Sequence, residues 1–128
     1  MKYTTKSSIL QSSSMKHFIE LTPFRTYLDR LREGSTLLRE IQRLLLRQPD
    51  DGEVVQGTGG IRKMRLAGKG RGKSGGYRIW YLHLPEPGRI YLLAIYSKNE
   101  IEDLTVVQRQ ELRGLVERLK QEARREKK

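Results

Sequence analysis

The sequence lacks cysteine, which excludes disulfide bonds, thiolate catalysis and every cysteine-based metal site. It also lacks long apolar runs, and none approaches the ~20 residues that a membrane-spanning helix needs. The first residues include Lys2 but not the apolar stretch of a secretory signal. These absences predict a cytoplasmic chain without a membrane partner. At 128 residues it is long enough for one domain with an ordinary core.

Acidic residues are scarce beside basic ones. The chain has 15 Asp and Glu against 26 Lys and Arg, a net charge of +11. Such an excess predicts a polyanionic partner. Nucleic acid is favoured over an anionic membrane or an acidic protein, because no long apolar amphipathic anchor accompanies the charge.

Histidine is scarce too, with only His17 and His83 in the chain. Their spacing from carboxylates does not resemble a metal site, so we expect neither a metal nor a cofactor. His83 comes just before a Pro-Gly turn, and we expect it at the surface.

The first 14 residues differ from the rest of the chain. Residues 1–14 are rich in Ser and Thr, with two isolated aliphatic side chains, Ile9 and Leu10. So little apolar surface predicts a flexible N-terminal extension. We therefore expect the functional domain to occupy residues 15–128.

The next part of the chain predicts one strand and two helices. Apolar and polar residues alternate in His17–Leu21, which is typical of a short strand. Helical spacing begins at Pro23 and continues to Gly34, which we expect to end the first helix. A second helix is expected to follow, capped by Ser35 or Thr36.

After residue 52 the pattern changes to strands and then returns to helix. Four runs look extended, at 54–55, 61–66, 77–84 and 89–97. The Pro-Glu-Pro-Gly turn at 85–88 predicts an antiparallel hairpin, and a capping box from Thr105 predicts a C-terminal helix. The order predicts an α+β fold: a small antiparallel sheet with two N-terminal helices and a C-terminal helix, packed on one face. The other face would be free.

The glycine-rich segment 68–76 contains a match to G-x-G-x-x-G at 70–75 and nearly matches a phosphate-binding loop. Such loops hold phosphates only where a helix leaves the glycines. Here the exit is Tyr77–Leu84, which is β-branched and aromatic and predicts a strand. We interpret the segment as a basic loop between two strands.

Basic residues are concentrated around this loop without any carboxylate among them. The cations are Arg62, Lys63, Arg65, Lys69, Arg71, Lys73 and Arg78. Because strand side chains alternate, Lys63 and Arg65 should project together, and Arg62 should project to the other side. Arg78 opens the next strand and Lys98 closes the last. A sheet can gather such residues into one cationic surface, which is typical of binding to a nucleic-acid backbone.

The run GTGGIRKMRLAGKGRGKSGGYRIWYL, followed by IYLLAIYSKNEIEDLT, resembles the RelE/ParE superfamily of bacterial toxins, specifically its HigB branch. The resemblance covers about residues 17–120. It implies a RelE-like, microbial-ribonuclease-type toxin fold and a metal-independent endoribonuclease, an mRNA interferase that cuts messenger RNA in the ribosomal A site and inhibits translation. It also implies a cognate antitoxin, for which we expect a helix-turn-helix DNA-binding module.

The resemblance implies roles for four residues. Attack of a ribose 2′-hydroxyl on phosphorus requires a proton acceptor, charge stabilisation and a protonated leaving group. Lys63 and Arg65 match the catalytic basic pair of the family, with Lys63 as candidate base and Arg65 acting through its charge. Arg78 matches the phosphate-clamping arginine. Lys98 lies beside the position of a further catalytic arginine, where this chain has Asn99.

Other candidates would bind RNA or replace a missing group. The tyrosine that some relatives carry on the following helix has no counterpart, since Thr105 occupies roughly that place. Tyr96 could substitute for it through base stacking or proton donation, and a core aromatic is the alternative. Trp80 is expected to pack. The RNA-binding candidates are Arg62, Lys69, Arg71, Lys73 and Tyr96.

Two other functions fit the same residues. The basic surface could bind RNA or the ribosome and block translation without cleaving the message. A ParE-like gyrase poison has a similar sheet but usually lacks this basic set, so message cleavage is the favoured function.

Overall fold

The computed structural model describes residues 3–11, 14–67, 76–97 and 104–126. In chain order its elements are β1 (Tyr3–Gln11), β2 (Ser14–Leu21), α1 (Thr22–Asp29), α2 (Gly34–Arg47), β3 (Glu53–Val54), β4 (Arg62–Ala67), β5 (Gly76–Leu84), β6 (Arg89–Ser97) and α3 (Val106–Glu126). The α+β class, the two N-terminal helices and the C-terminal helix are confirmed.

The strands form a single sheet in the order β1-β2-β6-β5-β4-β3. Neighbouring strands are antiparallel except β2 and β6, which run parallel. A parallel pair needs a long crossover connection, and here α1, α2 and three strands lie between the two members. The turn at 85–88 joins β5 and β6 as the predicted antiparallel hairpin.

The N-terminal residues differ from the expected loose extension. Strand β1 pairs with β2 at the edge of the sheet, from Tyr3 opposite Leu21 to Gln11 opposite Ser14. An antiparallel ladder is made by backbone groups, so a Ser- and Thr-rich segment can pair without apolar side chains. The proposed domain boundary after residue 14 stays a prediction.

Helices cover both faces of the sheet, so the prediction that all of them pack on one face is wrong. Helices α1 and α2 pack on one face, called here the α1/α2 face, and α3 packs on the other, the α3 face. In β5, Ile79 and Tyr81 belong to the first core, and Trp80 and Leu82 to the second. A central strand that is apolar on both sides requires cover on both sides, which explains the arrangement.

Gly34 begins α2 instead of ending α1, and no side-chain hydrogen bond caps α2, so the predicted caps Ser35 and Thr36 are wrong. A Cβ atom on Gly34 would lie 2.6 Å from the carbonyl oxygen of Leu28. Glycine at this position therefore allows the two helices to approach closely.

The start of α3 is fixed by a capping box, as predicted. The Gln108 N–H donates to Thr105 Oγ1 at 3.1 Å, and the Thr105 N–H donates to Gln108 Oε1 at 2.9 Å. The Arg109 guanidinium also donates to the carbonyl oxygen of Gln56, which ties α3 to the loop before β4. Although α3 has 21 residues, it is polar, and none of the described helices could cross a membrane.

Candidate functional site

Strands β4 and β5 place three of the predicted catalytic residues side by side. Arg65 lies directly opposite Arg78, and Lys63 lies directly opposite Trp80. Directly opposed side chains of an antiparallel pair share a face, and Trp80 belongs to the core of the α3 face. Met64, between Lys63 and Arg65, packs on the α1/α2 face. The predicted alternation along β4 is therefore confirmed.

The same three residues line one groove of about 440 Å³ at the β4 edge of the sheet. The other lining residues are Leu44, Leu45, Gln48, Asp51, Gly52, Glu53, Met64 and Tyr81. The groove lies at this edge because β3 has only two residues, which pair with Arg62 and Lys63. Arg65 is exposed, and Lys63 and Arg78 are half-buried, so a ligand could contact all three.

The cations of this groove are not held in ion pairs with its carboxylates. Within the described ranges, no ion pair joins Asp51 or Glu53 to Lys63, Arg65 or Arg78. Like charges opposite each other on a sheet, such as Arg65 and Arg78, destabilise it unless an anion lies between them. The arrangement can therefore hold a phosphate group.

Tyr96 lies opposite Arg78 on β6 and is only 6% exposed. Trp80 Nε1 donates to the Tyr96 hydroxyl at 2.6 Å, and the two rings meet edge to face. Burial raises the pKa of Tyr96, although the bond from Trp80 and the charge of Arg78 act in the opposite direction. This environment favours the core alternative for Tyr96 over base stacking. The expected packing role of Trp80 is confirmed.

Arg62, an RNA-binding candidate, lies on the opposite face from Lys63. Its guanidinium donates to the carbonyl oxygen of Gly52 at 2.7 Å, and its Nε lies 3.9 Å from a carboxylate oxygen of Asp50. These contacts hold the turn that precedes β3.

The other basic candidates, Lys69, Arg71, Lys73 and Lys98, lie outside the described residues and stay predictions.

The side chain of His83 is nearly covered, so the prediction of a surface histidine is wrong. Its side chain is 4% exposed, with Nδ1 2.9 Å from an Asp50 carboxylate oxygen and Nε2 3.0 Å from Lys16 Nζ. Because an ammonium group only donates, Nε2 accepts, and Nδ1 carries the hydrogen that Asp50 accepts. This hydrogen bond lowers the pKa of Asp50 below its ordinary value.

Gly52 also fixes the turn that precedes β3. Its N–H donates to Tyr81 Oη at 2.9 Å, and a Cβ atom on Gly52 would lie 2.6 Å from that oxygen. Burial raises the pKa of Tyr81, so the phenol stays protonated. We call Lys16, Asp50, Gly52, Arg62, Tyr81 and His83 the anchor cluster. This cluster holds the residues on either side of Gly52, Asp51 and Glu53, at the groove.

Three further residues belong to the site although the sequence pattern did not indicate them: Gln48, Asp51 and Glu53. The sequence pattern indicated only that strands begin after residue 52. Glu53 reaches the site because β3 pairs with β4, where it lies opposite Lys63. A strand of two residues is too short to show an alternating pattern, so the sequence does not predict which strand it pairs with.

No family model matches the chain. The RelE-superfamily resemblance therefore stays a hypothesis that rests on the quoted motifs. Among the described residues, no group of three His, Cys, Asp or Glu side chains could hold a metal ion.

Proposed function

We propose that the protein is the toxin of a bacterial toxin–antitoxin module and a ribosome-dependent mRNA endoribonuclease. The observation that carries this proposal is the groove, in which Lys63, Arg65 and Arg78 are adjacent and have no ion-pair partner among the described residues. The motif resemblance supplies the reaction type. The net charge of +11 favours binding to RNA, because the RNA backbone is polyanionic.

In the proposed reaction the ribose 2′-oxygen bonds to the adjacent phosphorus and the bond to the 5′-oxygen breaks. The products are a 2′,3′-cyclic phosphate and a 5′-hydroxyl, and no water is consumed. Arg78 binds two nonbridging oxygens with its planar guanidinium, and Arg65 adds positive charge as the transition state becomes dianionic. Lys63 accepts the 2′-hydroxyl proton in its unprotonated amine form, and the leaving 5′-oxygen takes a proton from solvent or from Lys98.

Two partners follow from this proposal. The substrate is messenger RNA in the ribosomal A site, where translation presents a single-stranded codon to the groove. A cognate antitoxin, with a helix-turn-helix DNA-binding module, neutralises the toxin in the cytoplasm of the cell that makes both.

The test is to add the protein to a translating extract without supplementary metal and to map the 5′ ends of a defined message. We expect cuts within codons that disappear with Arg78→Ala. Arg43→Ala is the matched control, because Arg43 is exposed on α2, pairs with Glu40 and does not line the groove. Arrested translation with intact message would contradict cleavage and support the non-cleaving binder. In a supercoiling assay, inhibition of gyrase by the protein would instead support the ParE-like function.

A further inference from the structure

We infer that the groove also reads the base beside the bound phosphate, and that Asp51, with Gln48, selects a base rich in hydrogen-bond donors, guanine first. The inference rests on the proposed RNA-binding function and adds a substrate preference to it.

The first observation is a carboxylate where phosphate binding alone predicts none. Asp51 lines the same groove as Lys63, Arg65 and Arg78. A carboxylate repels a phosphate, so a groove that held only the RNA backbone would bind more tightly without it. A nucleotide, in contrast, carries an anionic phosphate for the cations and N–H donors for an acceptor.

The second observation is that this acceptor is not used by the protein. Among the described residues, no side chain or backbone group bonds to the side chains of Asp51 or Gln48. The preceding residue is the opposite case, since Asp50 accepts a hydrogen bond from His83 and lies near Arg62. Two consecutive aspartates thus divide into one that holds the turn and one that is available to a ligand.

The shape of the groove suits a base. Its volume of about 440 Å³ is within the range of small-ligand sites. Leu44 and Met64, which are partly exposed, contribute apolar surface that can contact the flat face of a base. Gln48 adds an amide that both donates and accepts.

A carboxylate only accepts hydrogen bonds, so the donors that each base presents determine its expected affinity. Guanine presents an N–H and an amino group side by side on its Watson–Crick edge, which match the two oxygens of one carboxylate. Cytosine and adenine each present one amino group there. Uracil presents a single N–H between two carbonyl oxygens, which a carboxylate repels. The expected order of affinity is guanine, then cytosine and adenine, then uracil.

The test is fluorescence anisotropy with four labelled heptaribonucleotides, UUUXUUU, in which X is each base in turn. We expect the wild-type protein to bind the guanine probe roughly tenfold more tightly than the all-uracil probe. In Asp51→Asn the order should collapse, with guanine and uracil within about twofold of each other, because the two-oxygen acceptor is gone. Circular dichroism would establish that each variant is folded.

The control is Glu40→Gln, which makes the same change in charge on an α2 residue outside the groove. It should keep the base order and tighten all four probes equally. Gln48→Ala provides a second variant, expected to reduce the preference without abolishing it. Equal wild-type affinity for the four probes, or identical effects of Asp51→Asn and Glu40→Gln, would overturn the inference.

The outcome is independent of the cleavage assay. If the base order holds in binding but no message is cut in the translating extract, the proposed enzyme fails and base reading stands. If the message is cut and the Asp51→Asn protein binds all four probes with the wild-type order, base reading fails and the enzyme stands.

Discussion

The anchor cluster and the groove contain the same kinds of side chain, but they use their charges in opposite ways. In the anchor cluster, Asp50 is bonded to His83, and Arg62 is bonded to Gly52. In the groove, the five charged groups make no ion pair with one another within the described residues. Paired polar groups stabilise a fold, whereas unpaired like charges on neighbouring strands destabilise it slightly and are available to a ligand.

This difference separates stability from activity. Substitutions of the charged groove residues should reduce cleavage and leave the free energy of unfolding within about 0.5 kcal/mol of the wild-type value, as is usual away from the packed core. Substitutions in the anchor cluster should lower the free energy of unfolding and leave cleavage by the folded protein unchanged. The exceptions are substitutions that displace Asp51 and Glu53.

The largest expected effect concerns the proton acceptor. Lys63→Ala should lower the cleavage rate by about 10²–10⁴-fold, the usual contribution of a general base. Glu53→Gln, which changes the residue directly across from Lys63, should cost less than about tenfold if its role is only electrostatic. Single-turnover cleavage on programmed ribosomes measures both. A larger loss with Glu53→Gln would identify Glu53 as the base.

The next effect concerns transition-state charge. Arg78→Ala should lower the cleavage rate by about 10²–10³-fold, because one preorganised donor to the phosphate oxygens is lost. Arg78→Lys keeps the charge but not the two-pronged geometry, and it should restore only part of the rate. Full activity in Arg78→Lys would show that charge alone matters at this position. Urea unfolding should show nearly unchanged stability in both variants.

On the other side of the comparison, Gly52→Ala should destabilise the fold by about 1–3 kcal/mol, because the new Cβ would meet Tyr81 Oη at 2.6 Å. Gly114→Ala is the matched control: its Cβ would have only the end of the Arg118 side chain within 4 Å. In the interior of α3, this alanine should stabilise by up to about 1 kcal/mol. Urea unfolding measures both, and equal effects would argue against a tightly fixed turn.

The smallest effect concerns pH. The hydrogen bond from His83 lowers the folded-state pKa of Asp50 below the ordinary value of 3.8. Its contribution is therefore present above pH 3.8 and is lost as the pH falls through the lower, folded-state pKa. Because Asp50 is largely exposed, we expect Asp50→Asn to cost less than about 1 kcal/mol at pH 7. Unfolding free energies at pH 7 and in acid should show the wild-type advantage vanish in acid. An advantage that persists there would contradict this account.

Local pattern predicted much of the secondary structure. The alternation in β2, the strand character of β4 to β6 and the Thr105 capping box are properties of neighbouring residues, and all were confirmed. The alternation along β4 also predicted that Lys63 and Arg65 share a face. Chemistry at the groove was implied by family resemblance, which periodicity cannot supply.

Contacts between distant residues could not be predicted in the same way. The surface assignment of His83 failed because its ring nitrogens contact Asp50 and Lys16, which lie 33 and 67 residues away in the chain. The role of Gly34 was misassigned because its requirement comes from the backbone of another helix. Likewise, α3 was placed on the wrong face because its apolar stripe fits any apolar surface of the sheet.

The sequence by itself determined the helices and all strands except β1, the excess of positive charge and the alternation that puts Lys63 and Arg65 on one side of a strand. These depend on side-chain chemistry and on spacing along the chain. Only the tertiary structure decided that Arg78 faces Arg65 and that both sheet faces are covered. It also decided that Asp50 is hydrogen-bonded to His83, whereas Asp51 lines the groove and is available to a ligand. The physical reason is that pairing and burial depend on which remote segments meet, and the local pattern does not specify this.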